Sequence, residues 1–207
     1  MVWISLLLSL AQPDPQALIP LYRDNATRCE RELGPAHADT RRARLDLGLY
    51  LAKHGSRAEA ITLLRQAAES AEDLAQLAEL VPETEAPPYL RRALAAEEQA
   101  RGPEHPKVAV RLNNLALVLP AARAEPLLRR ALAINLKHLG EAHPESGVTL
   151  NNLADNLATQ RRYREAAPLA QRAVASLTQS LGAGNDRTQA AAANLKGIQA
   201  ALKAAPR

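Results

Sequence analysis

Two sets of polar residues return along this sequence at spacings that invite a chemical reading. The first is histidine. Leu33-Gly34-Pro35-Ala36-His37, Arg101-Gly102-Pro103-Glu104-His105 and Leu139-Gly140-Glu141-Ala142-His143 share one pattern, and Pro106 and Pro144 follow the second and third. An imidazole can ligate a metal or move a proton. Histidines at one position of a repeating unit are strung along the chain, however, and do not converge on a single ion. Their place before the first residue of a helix predicts a capping role. His54 and His138 have no histidine or carboxylate partner at metal spacing on one helical face. Gly-x-Ser-x-Gly, His-Glu-x-x-His and a phosphate-cradling glycine loop are all missing. The sequence therefore assigns no catalytic residue, no metal ligand, no cofactor and no small-molecule substrate. Cys29, the single cysteine, rules out an intrachain disulfide and a cysteine-built zinc site, and reads as a small apolar residue on a helix.

The second set is amide. Leu112-Asn113-Asn114-Leu115-Ala116 returns letter for letter as Leu150-Asn151-Asn152-Leu153-Ala154. A primary amide donates and accepts at once, as the backbone of an extended peptide demands.

The elements that carry these residues are set by the same repetition. Leu74 to Leu94 overlays Leu112 to Leu132 without a gap at an offset of 38, keeping leucines, alanines, Pro82 over Pro120 and both arginine pairs. A period of this size with helical character predicts an all-α, right-handed solenoid of stacked antiparallel helix pairs. The second helix of each pair (helix B) opens on Ala60, Ala86, Ala124 or Ala166, with a further alanine seven residues on, on the same face. The first helix (helix A) carries a leucine at 74, 112 and 150, and Arg44 and Ala192 stand at the equivalent positions. On this register a half repeat covers 15–33 and repeats cover about 36–70, 71–101, 105–138 and 143–181, with a capping helix over 187–203. Lys196 stands there where the other helices A place a buried small residue, which suits a wettable solenoid end.

Two irregularities are expected. Helix A runs 16 residues ahead of helix B in two repeats and 12 in the pair holding Pro82 and Pro120, whose rings stop the helix about a turn early. Between Ala60 and Leu74 the usual spacing has lost 12 residues, which predicts a tight turn around Glu69 to Asp73 or one continuous helix.

Composition agrees. The 207 residues include no Phe, one Trp and four Tyr, too few aromatics for one deep core but enough for thin Ala and Leu layers. A net charge of +4 argues for solubility before nucleic acid. Residues 2–11 are uncharged and precede Gln12-Pro13-Asp14-Pro15. The run is half the ~20 residues of a spanning helix, so no transmembrane helix is expected. With Ser9 and Ala11 as small residues before a cut, residues 1–12 read as the leader of an exported (periplasmic or extracellular) chain. No Lys or Arg precedes the run, and the alternative is a truncated first helix of a cytoplasmic protein.

Leu150-Asn-Asn-Leu-Ala154 opening helix A, Glu165-Ala166 with Leu169, Ala173 and Val174 in helix B, and Leu139-Gly-Glu-Ala-His-Pro144 before the next repeat resemble tetratricopeptide repeats (TPR), in particular those of kinesin light chains. The resemblance spans about Pro15 to Lys203. It implies a concave groove lined by helices A, with ligand contacts two residues before the small residue of each. That column reads Asp46, Gln76, Asn114, Asn152 and Asn194, flanked by Asn113 and Asn151 and by Glu79 and Asp155. Asn114, Asn152 and Asn194 are expected to meet a peptide backbone, or else to bridge neighbouring helices. The positions where some relatives grip a C-terminal carboxylate with lysines carry Ala75, Asn113 and Asn151, so that mode is not expected. With Asp46, Glu79 and Asp155 set against Arg42, a neutral or mildly basic protein segment fits best. The expected function is a non-enzymatic scaffold for such a segment, or an accessory subunit that regulates an enzyme through the same groove. The arginine pairs Arg41-Arg42, Arg91-Arg92, Arg129-Arg130 and Arg161-Arg162 raise RNA as an alternative partner, against which stand the scarcity of stacking aromatics and the glutamates beside the arginines.

Overall fold

A computed structural model describes residues 14–204; both readings of residues 1–12 lie outside them. Among the described residues the chain is all-α, with no strand. Ten helices pack in consecutive pairs. A first compact unit, ending at Pro82, holds α1 (Pro15–Leu33), α2 (Ala38–His54), α3 (Arg57–Ala67) and α4 (Ala71–Leu80). A second, from Glu83, holds a 3-10 turn (Glu83–Glu85), α5 (Ala86–Arg101), α6 (Pro106–Leu117), α7 (Ala121–His138), α8 (Pro144–Thr159), α9 (Tyr163–Leu181) and α10 (Asp186–Ala204). Helices A are α2, α4, α6, α8 and the capping α10; helices B are α1, α3, α5, α7 and α9.

The helix boundaries follow local chemistry. Nδ1 of His37, His105 and His143 accepts the backbone N–H of Asp39, Lys107 and Glu145, each at 3.2 Å, and Asn185 Oδ1 does the same for Arg187 at 2.9 Å. The histidines therefore cap helix N-termini. Gly34, Gly102, Gly140 and Gly182 before them have φ between 80° and 88°. A left-handed helical turn would suit the sequence, but ψ at Gly34, Gly102 and Gly182 is 163°, 155° and 158°. This extended region is open essentially to glycine alone, and it aims the chain straight at the next cap. Thr40 and Ser146 hydroxyls donate to the carbonyls of Gly34 and Gly140, at 2.8 and 2.6 Å, pinning the loop to the helix it precedes.

Helices α4 and α6 span 10 and 12 residues against 17 and 16 for α2 and α8, as Pro82 and Pro120 require. The compressed spacing before Leu74 is a tight turn. Ser70 Oγ accepts from the Asp73 N–H while Asp73 Oδ2 accepts from the Ser70 N–H, so a capping box starts α4 two residues after α3 has closed on Ala68.

The cores are thin and made mostly of alanine and leucine. Ala60, Ala124 and Ala166 and their partners Ala67, Ala131 and Ala173 are at most 1% exposed, so helix spacing is set by methyl groups. One position beside these layers changes chemistry from repeat to repeat. Where a helix B meets the next helix A, Cys29 is matched with Ala43, Glu97 with Arg111, Asn135 with Thr149 and Leu177 with Ala191. The second of these is a buried ion pair and the third a buried amide and hydroxyl hydrogen bond. In α10, Lys196 is exposed at the position where Ala116 and Ala154 are buried, along with Ala192 and Gln199, which gives this helix the wettable face expected of a cap.

Candidate functional site

The predicted site column lies on helices A, and in the second unit these helices form a close wall. α6 touches α8 and α8 touches α10, whereas α5 with α7 and α7 with α9 do not pack to the same extent. Helices closer on one side than the other make that side the inner one.

Two asparagine columns knit this wall. Asn152 Nδ2 donates to Asn113 Oδ1 at 3.2 Å, and Asn194 Nδ2 donates to Asn151 Oδ1 at 3.0 Å. The same rung thus recurs between α6 and α8 and between α8 and α10. Asn113 is anchored further inside, donating to Ala109 O at 3.0 Å and Thr149 Oγ1 at 2.8 Å. Asn152 and Asn194 therefore bridge helices while retaining a second N–H and a carbonyl oxygen. Asn114 is different: it is half-buried, and its side chain has no hydrogen-bond partner among the described residues.

Three residues beyond each amide of the column stand Leu117, Asp155 and Gly197. Leu117 is 66% exposed. Asp155 is exposed and makes no ion pair among the described residues. Closer to the helix N-termini, Glu145 meets Arg187 at 3.6 Å. In the first unit, Asp46 is neutralised by Arg42, one turn away at 3.1 Å, so Arg42 is not a free groove cation. Gln76 lies on α4 with its Oε1 buried and without a protein partner among the described residues, and Glu79 is exposed.

Of the arginine pairs, Arg41, Arg42, Arg129, Arg130 and Arg162 are held by carboxylates, whereas Arg91 and Arg92 are exposed. Glu125 accepts from Arg129 on its own helix and from Arg162 at 2.6 Å, and Gln160 adds a bond at 3.3 Å. Burial alone would raise the Glu125 carboxyl, but the hydrogen bonds from Arg129, Arg162 and Gln160 hold it below the usual carboxylate range. Arg162 is pushed up by its hydrogen bonds to Glu165 and Glu125. Arg130 does not pair within its helix, as its neighbours suggested, but crosses to Glu98 of α5 at 2.6 Å and to Pro103 O at 2.8 Å. Arg172 repeats that reach with Glu141 at 2.7 Å.

Some polar residues of consequence were not singled out by sequence. Glu97 and Arg111 form the buried pair, with Arg101 also on Glu97. Arg44, at the position that carries leucine at 74, 112 and 150, keeps only 12% of its side chain exposed by pairing with Glu30 at 2.8 Å and donating to Pro35 O at 3.2 Å. Aligning the repeats shows Arg44 as the polar residue of an otherwise apolar column, and Glu97 and Arg111 as opposite charges at the matched positions that hold Asn135 and Thr149 one repeat on. Among the described residues no cluster of metal-ligating side chains occurs, and no helix is long and apolar enough to cross a membrane.

Stacked helix pairs with histidine caps and an amide-lined inner wall define the class as an α-helical repeat protein. Residues 120–179 match the family model for the tetratricopeptide repeat. The chain is similar to the structure of a kinesin light chain protein of Podosopora anserina with nearly identical TPR-like repeats, with a TM-score of 0.64 and 22% identity over 82% of this chain and 90% of that one. It is also similar to BtubC (BKLC) of P. vanneervenii, with a TM-score of 0.57 and 18% identity over 93% of this chain and 94% of that one. No curated protein matches the sequence. The match makes residues 120–179 similar to tetratricopeptide repeats, and the chain shares the fold of these kinesin-light-chain-like TPR structures.

Proposed function

We propose that this protein is a non-catalytic scaffold that holds an extended segment of another protein against the helix A wall of its second unit. The observation that carries this reading is Asn114 beside Leu117: an amide with no internal partner next to a largely exposed leucine, on a wall whose other amides are tied in rungs. A free amide offers the donor and acceptor that a peptide backbone needs, and the leucine offers an apolar contact. Asn152 and Asn194 add their unused hydrogen-bonding capacity along the same line. Arginines held by Glu98, Glu125, Glu141 and Glu165 favour a protein guest over a phosphate backbone. A single short segment would bind at micromolar strength by ordinary interface arithmetic.

The test is affinity capture from the native host with the full chain and with the Asn114→Ala/Asn152→Ala variant. Partners retained by the wild type should be lost by the variant. Asn114→Ala alone should leave the melting temperature unchanged, since that side chain supports no internal bond. Recovery of the same partners by both proteins would overturn the reading.

A further inference from the structure

The inner wall of the second unit also specifies what its guest carries, an inference that rests on the scaffold reading above. On each of α6, α8 and α10 the column amide is followed three residues on by a lane residue: Asn114 by Leu117, Asn152 by Asp155, Asn194 by Gly197. Three residues advance a helix by about 4.5 Å, the width of one extended strand. Packed helices lie roughly 9 Å apart, and the rungs from Asn152 to Asn113 and from Asn194 to Asn151 hold these three in that contact. A segment crossing them at about 3.3 Å per residue therefore meets a new lane residue every third position.

The lane residues are chemically unlike one another. Leu117 is an exposed aliphatic group. Asp155 is an exposed carboxylate without an ion pair among the described residues, whereas Glu125, Glu141 and Glu165 of the same unit each hold an arginine. Glu145, the other carboxylate on the exposed side of α8, already faces Arg187. Gly197 presents no side chain, and a Cβ built there meets nothing within 4 Å, so it sets no requirement. We infer that the guest is a segment with an aliphatic residue seated on Leu117 and, three positions away, a lysine or arginine facing Asp155. The order of the two along the guest sets its direction across the wall.

Selection of a random dodecapeptide display library on the full-length chain tests this directly. The enriched peptides should share an aliphatic residue and a lysine or arginine three positions apart. In titrations, synthetic versions of them should bind Asp155→Lys about tenfold more weakly and Asp155→Asn by an intermediate factor. Selection on Asp155→Lys should enrich acidic residues at the same position. Asp155 is exposed, so circular dichroism melting should show both variants folded like the wild type. Peptides that lose binding with Asn114→Ala or Leu117→Ser yet are indifferent to Asp155→Lys would overturn the charge assignment and leave the groove standing. Failure to enrich any peptide, or binding indifferent to all these variants, would overturn the scaffold reading itself.

Discussion

Arg111 Nε of α6 lies 3.2 Å from Glu97 Oε2 of α5, with 8% and 6% of the two side chains exposed, beside an aliphatic layer of Val108, Ala109, Leu112 and Ile134. A buried pair of this kind contributes little net stability, but removing Glu97 takes from the buried Arg111 guanidinium, and from Arg101, a carboxylate that both hold. Glu97→Leu should therefore cost about 3 kcal/mol in urea unfolding. Glu97→Leu with Arg111→Ala, the combination found as Leu177 and Ala191 two repeats on, should recover most of that loss. The double-mutant cycle measures the coupling, and additive losses would show the pair to be energetically idle.

Thr149 is a second point of convergence. Its hydroxyl accepts from Asn113 at 2.8 Å and Asn135 at 3.0 Å and donates to Glu145 O at 2.8 Å, tying α6, α7 and α8. Thr149→Val keeps the shape and removes the acceptor for two buried amides, which should cost about 2 kcal/mol. Thr149→Ser should retain more of the stability than Thr149→Val, the reverse of what burial of methyl groups alone would give.

Two glycines inside helices make an opposed pair. A Cβ at Gly147 would come within 2.7 Å of Leu177 Cγ, so Gly147→Ala must push α8 and α9 apart and should destabilise by about 1–3 kcal/mol. Gly197 has no such neighbour, and Gly197→Ala should stabilise by roughly 0.5–1 kcal/mol through the unfolded chain and helix propensity. Thermal melting of the two variants should move in opposite directions.

Acid sensitivity follows from the carboxylates. Hydrogen bonds from Arg172 hold Glu141 below the usual range, and those from Arg129, Arg162 and Gln160 overcome burial to do the same for Glu125. A carboxyl lowered in the folded state contributes stability that is complete above its unfolded value, about 4.3, and is lost as pH falls through the lower folded value. Melting temperature should be level from neutrality down to about pH 5 and then fall. Glu125→Gln should melt lower at pH 7 and show a shallower acid limb.

Much of this architecture is legible in the sequence because its core is periodic. Ala124 with Ala131 and Ala166 with Ala173 mark helix B faces, Pro120 ends α6, and His105 and His143 cap α6 and α8. The wall amides were legible as residue types but not as bonds. Which asparagine is engaged depends on a turn of about 100° about the helix axis between neighbours, and that separates Asn113, tied to Thr149, from Asn114, left free. Arg130 was harder still. Its long side chain can reach its own helix or the one before it, and only packing selects Glu98. Glu97 and Arg111 are 14 residues apart across the turn that contains Gly102, so no rule for a single helix links them.

The unlike junctions have a consequence for how the chain assembles. Were the hairpins interchangeable, a copy of one could seat on another's neighbour, in its own chain or in a second molecule. Here a misplaced α5 would bury the Glu97 carboxylate against Ala191, and a misplaced α9 would set Leu177 where Arg111 meets Glu97. The two polar seams, Glu97 with Arg111 and Asn135 with Thr149, each admit their own counterpart and reject the apolar ones, so the order of the middle repeats is enforced by polarity, and exchange of these hairpins between chains is penalised.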